Sequence, residues 1–472
     1  MKKSTLRIAI PVHSAHHKKR EMSERRPDEL LPLTNGSVTN FNGWSVTLID
    51  ALDTMWIMGL HDEFQEVIPI IAEKTFALDE GSFAPFFETV IRYLGGLLSA
   101  YALSGEPILL ARADDLGKML LPAFNTPHGL PTFAVNTVSG AQSMGWAGRN
   151  VLLSEMATCQ MEYKYLAHLT GRQSYFDRAE KIMDVMNDAM HSDGILPTQW
   201  SLDSGKPINT HFSVGAFADS AHEYLLKQWL MTAKSETKAR DMYMRVATAV
   251  IKNLLFLSPT RGFLYVTDVH GTQPSNTFEH LSCFLPGLLA LGARTLPLAA
   301  HDRELHEWAA QGLAYSCWLS YADHASGLGP DEMAMDSGGK RWLDEVEKWR
   351  HRADRQASPR AGRDRARPRR HTGLSVAEIG VSSRPETVES FYYLWRTTGD
   401  SVYASVSDVE PSPAPKKNMM PSFFLAETLK YLYLLFTDDE LIPLDQWVFN
   451  TEAHPFPVFQ WADWEKKLYR IA

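Results

Sequence analysis

Residues 421–459 read PSFFLAETLKYLYLLFTDDELIPLDQWVFNTEAHPFPVF, and the rest of the chain is organised to receive them. Phe424, Leu425, Thr428, Leu429, Leu432 and Leu435 recur at the i, i+3, i+4 spacing of a helical stripe, with Glu427 in the first turn, where the helix dipole favours an acid. Thr437-Asp438-Asp439 ends that helix. Leu444–Phe449 then reads as a short apolar strand, and Asn450-Thr451-Glu452-Ala453-His454-Pro455 as the polar loop that turns it back toward Phe456–Phe459. Polar groups are expensive to bury, so a polar tip between two apolar strands is either a surface turn or a site.

Upstream, one unit repeats: an acid, an apolar helix of about four turns, a Gly-containing stop and a second amphipathic helix. Glu88 leads to Leu103-Ser104-Gly105, Glu155 to Leu169-Thr170-Gly171, Asp219 through YLLKQWL, Glu279 to Leu291-Gly292, and Glu386 to Thr398-Gly399. The first intervals between these acids are 67, 64 and 60 residues. Two-helix units of that length bury their faces by stacking on neighbours, and a closed stack gathers the leading acids at one mouth of an inner ring. Two intervals break the rhythm, 107 residues from Glu279 to Glu386 and 41 from Glu386 to Glu427. The excess contains Trp349–His371, where nine of 23 residues are Arg and none is Leu, Ile, Val or Phe, so a disordered insertion is expected there. The deficit falls after Tyr403.

A net charge of −9 argues against nucleic acid as the partner. No run approaches the ~20 apolar residues of a membrane span, and the basic N-terminus, whose short apolar run Leu6–Val12 is broken at Arg7 and Pro11, reads as a poor signal peptide. Cys159, Cys283 and Cys317 fit no zinc spacing and, taken alone, read as buried thiols.

Five stretches in order, DALDTMWIMGL (Asp50–Leu60), FFETVIRYLGGLLSAY (Phe86–Tyr101), EHLSCFLPG (Glu279–Gly287), RPETVES (Arg384–Ser390) and NTEAHPFP (from Asn450), resemble the class I α-1,2-mannosidases of glycoside hydrolase family 47. The resemblance covers most of 28–459. It implies an all-α fold, an (α/α)7 toroid plugged by the C-terminal β-hairpin, with 28–472 as a single catalytic domain and 1–27 as an irregular segment before it. The implied activity is inverting, calcium-dependent removal of terminal α-1,2-mannose from high-mannose N-glycans by a monomer, with no nucleic-acid partner.

Residue by residue, the resemblance makes Glu88 and Asp219 the leaving-group acids and Glu386 the general base, leaving open which of the first two delivers the proton. It places Arg92, Glu223, His280, Arg384, Glu389, Phe423, Glu427 and Glu452 around the sugar, and has Thr451 present its hydroxyl and carbonyl to Ca²⁺. It pairs Cys283 with Cys317, which implies an oxidising secretory lumen, endoplasmic reticulum or Golgi, although no membrane anchor is visible. Two residues before Asp219, members that trim a single mannose carry Arg where this chain has Phe217, so broader trimming is expected. The family also carries an outer helix after the position of Tyr403 that this chain lacks. A glycan-binding protein without turnover on the same fold is the rival reading.

Overall fold

The computed structural model describes residues 27–324, 327–351, 374–378, 384–399, 418–437 and 440–471. The expected irregular segment before residue 27, the bulk of the Arg-rich stretch and the region after Tyr403 lie outside them.

The repeat predicted from the sequence is present as helical hairpins. In chain order the helices are α1 (Val46–Asp50), α2 (Leu52–Ile57), α3 (His61–Ala72), α4 (Phe86–Glu88), α5 (Gly95–Ser104), α6 (Pro107–Leu120), α7 (Leu153–Met156), α8 (Gln160–Thr170) and α9 (Gln173–Ala189). They continue as α10 (Asp219–Met231), α11 (Thr237–Asn253), α12 (Leu285–Thr295), α13 (Ala300–Ala322), α14 (Trp342–Arg350), α15 (Glu386–Thr398), α16 (Leu429–Leu435) and α17 (Asp463–Tyr469). Helices α5, α8 and α15 end where Gly105, Gly171 and Gly399 adopt φ of 73°, 70° and 72°, the left-handed turn that glycine takes without a Cβ penalty.

Helices α2, α5, α8, α10, α12, α15 and α16 pack each on the next, and the π-helical turn Phe424–Thr428 leading into α16 packs back on α2. Seven inner elements thus close a ring. Helices α3, α6, α9, α11 and α13 form an outer layer, each following its inner partner in sequence. Short two- and three-stranded sheets edge the connections.

The C-terminal hairpin enters this ring. Its strands, Trp447–Phe449 and Pro455–Pro457, pair antiparallel with Val448 opposite Phe456, and they pack on α10 and α5. Phe449 meets the rings of Tyr392, Tyr393 and Tyr431, and Phe456 meets Tyr165, so the plug is part of the central core. Its close approach is set by Gly95, where a Cβ would fall 2.8 Å from Asn450 Nδ2 and 2.9 Å from His454 Cδ2, while a Cβ at Gly96 would fall 2.6 Å from the Ile49 carbonyl of α1.

Three expectations shift. Glu155 does not begin one long helix, since α7 spans four residues and the chain breaks before α8. Glu279 ends a strand, accepts the Ala216 N–H at 2.9 Å, and does not line the mouth of the ring. Trp349 and Arg350, at the start of the Arg-rich stretch, close α14; the indole of Trp349 meets that of Trp308 edge-on at 5.9 Å, and the Arg350 guanidinium lies over the same ring. An aromatic partner in the outer layer extends the helix into residues that composition alone assigned to the insertion.

Candidate active site

The hairpin tip decides what the ring mouth can do. Asn450, Glu452 and His454 are at most 2% exposed, so the polar loop is no surface turn. Its backbone is folded by Asn450, whose Oδ1 accepts the Glu452 and His454 N–H groups at 2.9 and 2.8 Å while Nδ2 donates to Glu162 and to the Ile91 carbonyl. The His454 ring sits between Asp53, 2.8 Å from Nδ1, and Asp50, 3.1 Å from Nε2. Lys430 of α16 bonds Asp53 at 3.0 Å and the Ala453 carbonyl at 2.6 Å. Burial opposes the charges here, yet Lys430 and His454 hold Asp53 down at about 2, and Asp53 and Asp50 hold His454 above its ordinary value.

So pinned, the tip presents Thr451 and Glu452 to a cavity of about 310 Å³. Glu88, Asp219 and Glu386, from three hairpins far apart in sequence, line it, together with Arg92, Glu223, Arg384, Glu389, Phe423 and Glu427. His280 is buried behind the wall, its Nδ1 3.1 Å from Glu386 Oε2. Every residue singled out from sequence for sugar, proton or metal is therefore at this cavity or directly against it.

Arg92 organises one side. Its Nε donates to Glu88 at 2.7 Å, and Nη1 donates to Ser422 at 3.2 Å, pairs with Glu452 and lies 3.5 Å from Asp50. On the other side Lys227 pairs with Glu223 and lies 3.4 Å from Glu389, which also accepts the Tyr431 hydroxyl at 3.3 Å. Arg384 donates to Asp331 at 2.8 Å.

Positive charge is short among the lining residues. Glu88, Glu155, Asp219, Glu223, Glu386, Glu389, Glu427 and Glu452 face two guanidiniums, those of Arg92 and Arg384. The carboxyls respond. Burial, with Glu223 and Glu279 nearby, pushes Asp219 up to about 7 against the hydrogen bonds of Ser220. Burial pushes Glu389 to about 8 despite Lys227, and burial beside Glu452 and Glu386 pushes Glu427 well above the carboxylate range. Glu452 is raised likewise by burial despite Arg92, with Asp50 and Glu88 adding to the rise.

Among the described residues no three His, Cys, Asp or Glu side chains converge as metal ligands. A cation held by Thr451 nevertheless fits: a hydroxyl and a carbonyl are hard-cation donors, and the surrounding excess of carboxyls supplies the field.

Several contributors were not singled out from sequence. Asp50 and Asp53 lay within a quoted motif without a role, although two acids three apart inside an apolar helix need buried partners. Glu155, one of the leading acids of the repeat but given no role in the chemistry, also lines the cavity, raised by burial and by Glu88 against the hydrogen bond from the Leu152 N–H. Tyr321 and Asp331 come from the outer layer and the loop beyond it, where no local pattern marks them. Cys283 and Cys317 form the expected disulfide, joining the segment before α12 to α13, and Cys159 is free and buried. Among the described residues no helix is long and apolar enough to cross a membrane.

The sequence profile of Glycosyl hydrolase family 47 matches residues 25–458. Human mannosyl-oligosaccharide 1,2-alpha-mannosidase IC is 37% identical over 457 residues, 91% of this chain and 67% of that protein. The Drosophila melanogaster mannosyl-oligosaccharide alpha-1,2-mannosidase IA is 36% identical over 91% of this chain and 64% of its own length, so the chain spans about two-thirds of these relatives. Among solved structures, an alpha-1,2-mannosidase from Trichoderma reesei superposes with a TM-score of 0.77 at 27% identity, covering 92% of this chain and 94% of that one. With the closed ring of seven helical elements and the buried plug, these similarities show an (α/α)7 barrel, and the chain belongs to glycosyl hydrolase family 47.

Proposed function

We propose that the cavity hydrolyses terminal α-1,2-linked mannose from high-mannose N-glycans with inversion at the anomeric carbon, as a Ca²⁺-dependent monomer in the lumen of the endoplasmic reticulum or Golgi. One observation carries the reading: acids from distant hairpins share a cavity with the Thr451-Glu452 tip, whose Glu452 is buried, and one of them, Asp219, is raised to about 7.

An inverting glycosidase needs one protonated carboxyl at the leaving oxygen and one carboxylate for water. Asp219, raised to about 7, keeps its proton up to near-neutral pH and is assigned as the donor. It gives its proton to the glycosidic oxygen as the C1–O bond breaks. Glu386 takes a proton from the water whose oxygen bonds to C1, which leaves β-mannose. Arg92 fixes Glu88 and Glu452 on one wall, and Glu223, Glu389, Glu427, Arg384 and Phe423 hold the ring and its hydroxyls. Thr451 would hold the Ca²⁺, which when bound supplies a fixed positive charge for sugar hydroxyls.

Phe217, an apolar residue beside the donor, offers no charged clamp for one glycan branch, and broader α-1,2 trimming follows. The Cys283–Cys317 disulfide supports an oxidising compartment.

Purified protein incubated with a high-mannose glycan should release free mannose, first as the β anomer by proton NMR. Chelation should abolish release and lower the melting temperature; if the ion is present at ~100 times its dissociation constant, its removal costs about 2.7 kcal/mol. Binding of the glycan without release would identify a glycan-binding protein instead, and indifference to chelation would remove the metal assignment.

A further inference from the structure

His280 has two ring nitrogens, and the structure gives both of them partners. Nδ1 lies 3.1 Å from Glu386 Oε2, while Nε2 lies 2.6 Å from the Tyr321 hydroxyl and 3.1 Å from Thr387 Oγ1. Glu386 must be a carboxylate to act on water, and a carboxylate only accepts, so the useful tautomer carries its proton on Nδ1. That tautomer leaves Nε2 as an acceptor in need of a donor.

Tyr321 is the shorter of the two contacts. Burial, with Glu386 and Asp331 nearby, pushes its phenol up, so it keeps its proton and can donate. Thr387 also reaches the Tyr321 oxygen, and Arg384 is the remaining charge facing it. Tyr321 belongs to α13 of the outer layer, and His280 to the 3₁₀ turn His280–Phe284 ahead of α12. Cys283 follows His280 by three residues and Cys317 precedes Tyr321 by four, so the disulfide staples the two segments one turn from this hydrogen bond.

We propose that Tyr321 is a positioning residue for the general base: its hydroxyl donates to His280 Nε2, commits the neutral imidazole to the Nδ1–H form, and so holds a donor on Glu386. No proton is transferred along this chain; the Tyr321 hydroxyl sets which nitrogen carries hydrogen. The inference rests on the assignment of Glu386 as the base.

Without the hydroxyl, the Nε2–H form becomes available and turns a lone pair toward the Glu386 carboxylate. A carboxylate that loses a hydrogen-bond donor is easier to protonate, so the acidic limb of kcat/KM moves to higher pH. Tyr321→Phe should therefore lower kcat about tenfold, less than removal of a general base itself, with KM within about twofold. In a His280→Gln background the same substitution should add nothing, because Tyr321 acts through His280. Thr387→Val should shift the limb less than Tyr321→Phe. An unshifted limb in Tyr321→Phe, with only the melting temperature lowered, would overturn the proposal, as would an equal loss in the His280→Gln background or a larger shift from Thr387→Val. If the parent chain releases no mannose, the reading of Glu386 as base falls, and this proposal falls with it; mannose release by the parent with unchanged Tyr321→Phe kinetics sinks the proposal alone.

Discussion

Around His454 the buried charges are matched, with Asp50 and Asp53 on its two nitrogens and Lys430 beyond Asp53. Around Glu427, 27 residues earlier in the chain, Glu452, Glu386 and Glu389 crowd together with Arg92 as the opposing charge. Both regions are desolvated, so burial alone does not separate them. In the first, pairing overcomes burial and Asp53 stays ionised down to about 2; in the second, like charge reinforces burial and carboxyls keep protons toward neutral pH. Matched charges hold the plug in place. Mismatched ones make a cavity that a cation or a hydroxyl-rich ligand would relieve.

The largest expected effect lies on the mismatched side. Glu386→Gln should reduce kcat by ~10² to 10⁴, the range for loss of a general base, and leave calcium-dependent glycan binding measurable by calorimetry. Loss of both together would mean that Glu386 is part of the binding frame and not the base.

The comparison is broken most directly by a pair of stability measurements. Asp53→Asn strips His454 and Lys430 of a shared buried partner and should cost about 3–5 kcal/mol in denaturant unfolding. Glu427→Gln removes one member of the crowd and should leave the ligand-free protein equally or more stable while impairing turnover. If both substitutions destabilise alike, the distinction between plug and cavity is not electrostatic.

These regions differ too in how much of them a sequence can show. The cavity residues sit in contiguous motifs at helix starts, and the period of the hairpins placed Glu88, Glu155, Asp219 and Glu386 at one mouth. Glu279 fitted the same period yet caps the Ala216 turn, because a strand and a 3₁₀ turn stand where a helix start was expected. The segments Thr89–Leu94 and Phe424–Thr428 are π-helical, directly after Glu88 and around Glu427, and a 3.6-residue period does not register the extra residue per turn. The plug was legible as a hairpin but not as buried, since what makes Asn450 and His454 affordable inside comes from Asp50, Asp53, Glu162 and Lys430 in other parts of the chain.

A smaller effect tests Asp219 itself. As the acid it must be protonated, so the alkaline limb of kcat/KM should fall through about 7. Its folded value lies above its unfolded one, so the folded state binds the extra proton and stability drops as pH rises between about 4 and 7. Asp219→Asn should remove that drop, giving a flatter stability profile and a higher melting temperature at pH 8 than the parent. A limb that stays near 7 in that variant's residual activity would assign the titration to a different group.

The smallest expected effect is at Phe217, whose half-buried ring meets His211 edge-on at 5.6 Å just before the helix that carries Asp219. It also lines a second cavity of about 400 Å³ with Trp146, Gln199, Asn209 and His270. A charged side chain there leaves Asp219, Glu386 and the hairpin tip untouched, so kcat on an α-1,2-mannobiose should change within about threefold, as for loss of a contact remote from the reacting centre. What should change is the distribution of products from a branched glycan. Phe217→Arg adds donors that favour one arm over the others, and a time course of oligosaccharide sizes should pause after fewer removals than the parent's. An identical product ladder would mean that branch choice is set by residues beyond this position, and that the apolar character of Phe217 is a matter of packing against His211.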